Sequence, residues 1–134
     1  MWLLKTEPSS YAYDDLERDK RATWDGVKNP VALRNLREMK EGDAALIYHT
    51  GDEKAVVGTA LVARAAYPDP KSKDPRLYVV DLTPAGRLPR AITLAEIKQI
   101  PAFADSPLLR QGRLSVVRLT KEQWNELTKT TTKR

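Results

Sequence analysis

Thr23-Trp24-Asp25-Gly26-Val27-Lys28-Asn29-Pro30-Val31-Ala32-Leu33-Arg34-Asn35-Leu36-Arg37 runs from a short apolar segment bearing a large aromatic, through a glycine turn, into a helix with two start signals. The Asn29 side chain can accept a hydrogen bond from a free amide of the first turn, and Pro30 at the first helical position loses nothing by lacking an N–H. The helix is therefore predicted to begin at Pro30. Ala32, Leu36 and Met39 recur at helical spacing, Leu33 widens the stripe, and Arg34, Arg37, Glu38 and Lys40 cover the rest until Gly42. Trp24 and Asn29 are held on either side of a tight turn, beside the positive end of the helix and close to Lys28, Arg34 and Arg37. Such a joint can hold a flat ring and an anion together.

A chain of 134 residues with 41% hydrophobic content is long enough for one domain around one core, assigned to residues 1–134. The net charge of +5 favours acidic partners, nucleic acid among them. With no cysteine, disulfides, thiolate catalysis and cysteine-ligated zinc are excluded, and His49 as the single histidine makes imidazole metal sites improbable. The apolar run Met1-Trp2-Leu3-Leu4 is too short for a signal or a membrane span. A cytoplasmic monomer without metal, cofactor or membrane contact is expected.

Along the chain, Trp2–Thr6 reads as a strand ended by Pro8, with Lys5 and Glu7 on one face and Thr6 on the other. Ser9-Ser10 offers caps for a brief acidic helix through Asp14–Glu17. Residues 43–49 alternate two apolar faces, as a central strand does, and Ala55–Ala63 pairs with them by a hairpin, with Gly58 suited to a bulge or a close backbone approach. The three prolines of residues 67–75 mark an exposed loop. Leu77–Thr83 is a strand and residues 87–90 an edge or connecting segment. Thr93-Leu94-Ala95-Glu96 and Thr120-Lys121-Glu122-Gln123 are capping boxes, with Ile92/Ile97 and Leu119/Trp124 as staples. Pro107–Gly112 reads as a basic loop, Leu114–Leu119 as the last strand, and Lys129 to Arg134 as a frayed tail. Five or six strands with three or four short helices between them, without regular alternation, predict an α+β domain around a mostly antiparallel barrel.

Trp2-Leu3-Leu4-Lys5-Thr6-Glu7-Pro8, Trp24 to Asn29 with Ala32 and Asn35-Leu36-Arg37, Tyr48-His49, Glu53, Ala66-Tyr67-Pro68-Asp69 and Arg113-Leu114-Ser115-Val116 resemble, in order and over essentially the whole chain, the EVE domain family. Gly112 departs from the polar residue expected before Arg113, and Lys28 stands where arginine is commoner. The resemblance implies a PUA-like pseudo-barrel related to the thymocyte nuclear protein family and, more distantly, to the YTH readers of methylated adenine. It also implies that a modified base of DNA or RNA, such as methylated or hydroxymethylated cytosine, is flipped into a pocket.

On this reading the base pocket comprises Trp24, Asn29, Tyr48, His49, Ser10 and Lys5, and the nucleic-acid backbone meets Lys28, Arg34, Arg37, Arg110, Gln111 and Arg113. No catalytic residue is assigned. Tyr48 and His49 lie on opposite strand faces, and His49 reads equally well as a strand-end polar residue bonded to a neighbouring carbonyl. The competing reading is an enzyme: ASCH-type relatives hydrolyse acylated nucleosides with a lysine, a threonine and a glutamate, and Lys5-Thr6-Glu7 supplies those residue types. Three consecutive strand residues cannot all face one pocket, which argues against it.

Overall fold

Fully buried Trp2, Leu3 and Leu4 give strand β1 (Trp2–Thr6) apolar contacts on both faces, which only an interior position can satisfy. In the computed structural model, which describes residues 1–132 and side chains through Thr128, β1 lies between β3 (Ala44–His49) and β6 (Val116–Arg118). The expected frayed tail from Lys129 to Arg134 falls outside the residues whose side chains are described. The sheet has six strands in the order β2-β5-β4-β3-β1-β6, with β2 (Ala22–Trp24), β4 (Ala55–Pro68) and β5 (Tyr78–Thr93) completing it. β1 and β3 run parallel, and the other neighbouring pairs run antiparallel. Register shifts recur between β4 and β5 at Val56/Gly58, Thr59/Ala60, Val62/Arg64 and Arg64/Tyr67. Bulges bend and twist a ladder, and here the mixed sheet curls into a half-barrel.

Helix α1 (Tyr13–Asp19) follows β1, α2 (Pro30–Glu38) follows β2, and α3 (Leu94–Ile97), a 3-10 turn at Pro101–Phe103 and α4 (Pro107–Arg110) lie between β5 and β6. Helix α5 (Lys121–Thr132) follows the last strand. The Pro30 start holds, and Asn29 Oδ1 accepts from the amides of Val31 (2.9 Å) and Ala32 (3.1 Å). Ala32, Leu33 and Leu36 face the core, and Asn35 Nδ2 donates to the Val116 carbonyl at 2.8 Å, tying the helix to β6. Asn29→Ala should lower the free energy of unfolding by about 1 kcal/mol, the usual cost of a lost N-cap, read as a shift in the urea midpoint.

Both capping boxes form: Thr93 Oγ1 accepts from Glu96 N and Thr120 Oγ1 from Gln123 N, with the reciprocal bonds also made. Several expectations are corrected. The cap of α1 is Ala12, whose amide donates to Asp15 Oδ2 at 2.8 Å, because Ser9 and Ser10 are spent in a turn closed by the Glu7 carbonyl. Pro107–Arg110 forms a short helix capped by Ser106, where a loop was expected. The last strand is only Val116–Arg118, and helix α2 ends at Glu38 before Gly42. β4 and β5 extend well past the predicted ends, and residues 87–90 lie in the part of β5 that pairs with β4 alone, the edge reading of the two offered for them.

Candidate nucleic-acid interface

Strand parity decides what stands on each side of β1. Thr6 faces a cavity of about 280 Å³ that it lines with Ser10, Tyr11, Thr23, Trp24 and Asp25. Lys5, one residue earlier, lines a separate cavity of about 250 Å³ with Tyr48, Lys54 and Lys98. The expected base pocket is thus divided: Ser10 and Trp24 share one cavity, and Lys5 and Tyr48 share another.

Trp24 is only 7% exposed, so its ring packs against the core and also walls the first cavity. Tyr11 meets it edge-on, with ring centroids 6.1 Å apart and planes at 87°. The Tyr11 hydroxyl donates to Asp19 Oδ2 at 2.9 Å; burial and that bond push its pKa up to about 12, which keeps the phenol neutral. Thr6 Oγ1 donates to the Tyr11 carbonyl at 2.7 Å, fixing the turn that carries Ser10 and Tyr11.

Thr23 is oriented from behind by Asp81, which accepts from Thr23 Oγ1 (3.2 Å), Tyr67 Oη (2.6 Å) and the Arg21 guanidinium (2.9 Å). Burial pushes the Asp81 carboxyl up, but the donation by Tyr67, Arg21 and Thr23 outweighs it and holds the group below the usual carboxylate range. A depressed carboxyl stabilises the fold above its unfolded pKa, near 3.9, and that contribution is lost as pH falls through the lower folded value. The urea midpoint of the wild type should therefore drop below about pH 4, and Asp81→Asn should flatten that part of the profile.

His49 is buried and lines neither cavity. The Tyr13 amide donates to its Nε2 at 3.0 Å, so Nδ1 carries the ring proton and donates to Glu53 Oε1 at 2.7 Å. The strand-end expectation for His49 is right in kind, but its partners are an amide and a carboxylate, since the start of α1 rather than a carbonyl packs over it. Asn29 stands exposed at the helix start and is not among the residues lining the Trp24 cavity, its oxygen being taken by the cap.

Lys28 and Arg37 line a larger cleft of about 610 Å³ between α2 and the loop joining β4 to β5. Among the described residues Lys28, Arg34, Arg37 and Arg113 have no ion-pair partner, whereas Arg110 is paired with Asp105 at 2.7 Å. Gln111 ends α4, exposed, and the Gly112 carbonyl accepts from Lys5 Nζ at 3.0 Å. Burial lowers the Lys5 pKa. Tyr11, Thr23 and Asp25 are wall residues that the sequence did not assign to the pocket, and Thr6 entered only through the enzymatic alternative. Thr6 was marked by its parity opposite Lys5, and Asp25 by its place beside Trp24; nothing local marks Tyr11.

No group of three or more His, Cys, Asp and Glu among the described residues is placed to hold a metal ion, and no described helix is long and apolar enough to cross a membrane. Fold and site together define a small mixed half-barrel with one aromatic-walled cavity and a separate cleft whose cations Lys28 and Arg37 have no ion-pair partner among the described residues. The chain belongs to the EVE domain family, whose model matches residues 1–130. Human thymocyte nuclear protein 1 is 32% identical over 158 aligned positions, covering 92% of this chain and 70% of that protein. The crystal structure of human THYN1 protein in complex with 5-methylcytosine-containing DNA superposes with a TM-score of 0.90 at 28% identity, covering 99% of this chain and 98% of that one. A mutant of the ASCH protein from Zymomonas mobilis covers 98% of each chain at a TM-score of 0.62 and 16% identity, a likeness of fold alone.

Proposed function

We propose that this protein is a non-catalytic reader of DNA that draws one modified base, 5-methylcytosine by preference, out of the stack and into the Trp24 cavity. The observation that carries this reading is the cavity itself, with an indole wall, a tyrosine edge and hydroxyl and carboxylate groups at its rim, in a chain whose relative was crystallised with 5-methylcytosine DNA. A flipped base loses its stacking, and an aromatic face restores about 1 to 3 kcal/mol of it. Asp25 is the acceptor suited to the exocyclic amine of cytosine, and the Ser10 hydroxyl can serve another edge atom. The extra methyl is worth about 1 kcal/mol of transfer energy, so shape and exclusion of water supply the rest of the preference. Lys28, Arg34, Arg37 and Arg113 supply attraction to phosphate.

Titration with oligonucleotides that differ only in one base, at two salt concentrations, separates the two parts. The ratio of affinities for 5-methylcytosine and cytosine should be independent of salt while both affinities fall together, because the phosphate contacts are shared. A ratio of one at both salts contradicts the reading. Asp25→Ala should weaken binding of the 5-methylcytosine oligonucleotide about fivefold, the loss of about 1 kcal/mol from one base-edge hydrogen bond. The enzymatic alternative finds little support, since Lys5 and Thr6 line different cavities. Turnover of acylated cytidine that is lost in Glu7→Gln would reverse that ranking.

A further inference from the structure

We infer that the cleft between α2 and the β4–β5 loop seats the sugar-phosphate backbone flanking the flipped base, an inference that rests on the reading of the Trp24 cavity as a base pocket. The cleft, at about 610 Å³, has more than twice the volume of the Trp24 cavity, room for backbone as well as one ring. Its walls come from two elements: Lys28, Leu33 and Arg37 on one side, Ser72, Arg76 and Leu77 on the other.

The charge of the cleft selects an anion. Lys28 and Arg37 face it with no carboxylate partner among the described residues. Arg37 is instead held over the Tyr78 ring, 5.4 Å from its centroid, an arrangement that fixes the guanidinium and leaves its N–H edges free for a phosphate. The single carboxylate in the wall, Asp74, is already consumed: it accepts from the Arg76 amide (2.9 Å) and from the Arg76 guanidinium at Nε (3.0 Å) and Nη2 (2.9 Å). The cleft is therefore cationic on its α2 side and close to neutral on its loop side, with Leu33 and Leu77 offering an apolar surface to a sugar face. An acidic peptide would satisfy the two cations but would have no reason to lie next to a base pocket.

Position then ties the cleft to the base. Trp24 walls the cavity and Pro30 borders the cleft, and the intervening chain can span at most about 20 Å. Phosphates of one strand recur every ~3.4 Å along a duplex axis, so the Pro30 edge of the cleft is no farther from Trp24 than about six nucleotides of rise.

Three titrations test this: a duplex carrying one central 5-methylcytosine, the same duplex with cytosine, and the free nucleoside 5-methyldeoxycytidine, which has no phosphate. Arg37→Gln and Lys28→Gln should each weaken both duplexes about five- to tenfold near 0.1 M salt and reduce the salt slope by about one, leaving nucleoside binding and the methyl preference unchanged. Lys121→Gln, an exposed cation of α5 that does not line the cleft, should lose less than Arg37→Gln. Equal losses for Lys121→Gln and Arg37→Gln, or duplex binding unaffected by Arg37→Gln, would overturn the cleft assignment. A wild type with no preference for the methylated duplex would instead overturn the base-pocket reading, whatever the Arg37 result, so the two failures are distinguishable.

Discussion

Trp24→Ala should abolish the preference for 5-methylcytosine over cytosine and leave weak, salt-sensitive binding behind. Removing the aromatic face forfeits about 1 to 3 kcal/mol of stacking, or about five- to 150-fold in affinity for the modified oligonucleotide. The remainder comes from phosphate contacts, which the substitution does not touch. Trp24 is 7% exposed and also packs against the core, so the same change lowers stability, and a large-to-small change of a buried aromatic costs about 3 to 5 kcal/mol. Trp24→Phe separates the effects: it keeps a ring on the wall and should retain part of the preference. Equal loss of affinity for modified and plain oligonucleotides in a folded Trp24→Ala protein would contradict the role given to this residue.

Gly58→Ala should be the most damaging small substitution in the sheet. A Cβ at this position would lie 2.5 Å from Cζ and 2.6 Å from Cε1 of Tyr13. The ring cannot retreat: it is fully buried, its hydroxyl donates to the Thr59 carbonyl at 2.7 Å, and the Gly86 amide donates to it at 3.1 Å. Overpacking of this kind costs about 1 to 3 kcal/mol, and Tm should fall by about 4 °C for each kcal/mol lost. Truncating the ring should relieve the clash, so Gly58→Ala should cost much less in a Tyr13→Ala background than alone. Thermal unfolding of the two single variants and the double variant measures that coupling, and simple additivity would show that the contact is not what makes glycine necessary here.

The features legible in the sequence were those fixed within a turn or two of chain. Asn29 and Pro30 start α2 because the cap and the missing N–H are local facts, and the two threonine capping boxes form for the same reason. The central position of β3 was legible because two apolar faces leave no solvent side. Gly58 was legible as a bulge or close approach, and both occur, although its neighbour Tyr13 lies far away in sequence.

The reach of β5 was not legible. Pro84 and Pro89 break the reading of a strand, yet β2 pairs only with Val80–Leu82, so beyond that point one side of β5 has no ladder partner and a missing N–H costs little there. The division of the expected site followed from parity and curl together. Lys5 and Thr6 had to face opposite sides, but that Tyr48 would join Lys5 and that His49 would be absorbed by Tyr13 and Glu53 depends on how α1 packs across the end of β3. Tyr11 reaches Trp24 only because the Glu7 turn folds back, a contact with no periodic signature.

The most direct measurement is a crystal structure of this protein with a duplex carrying a single central 5-methylcytosine. The methylated base should lie out of the helix against the Trp24 indole, with Tyr11 at its edge and Asp25 at its amine. A complex in which that base stays stacked and paired while the cavity between Ser10 and Trp24 holds nothing of the DNA would contradict it.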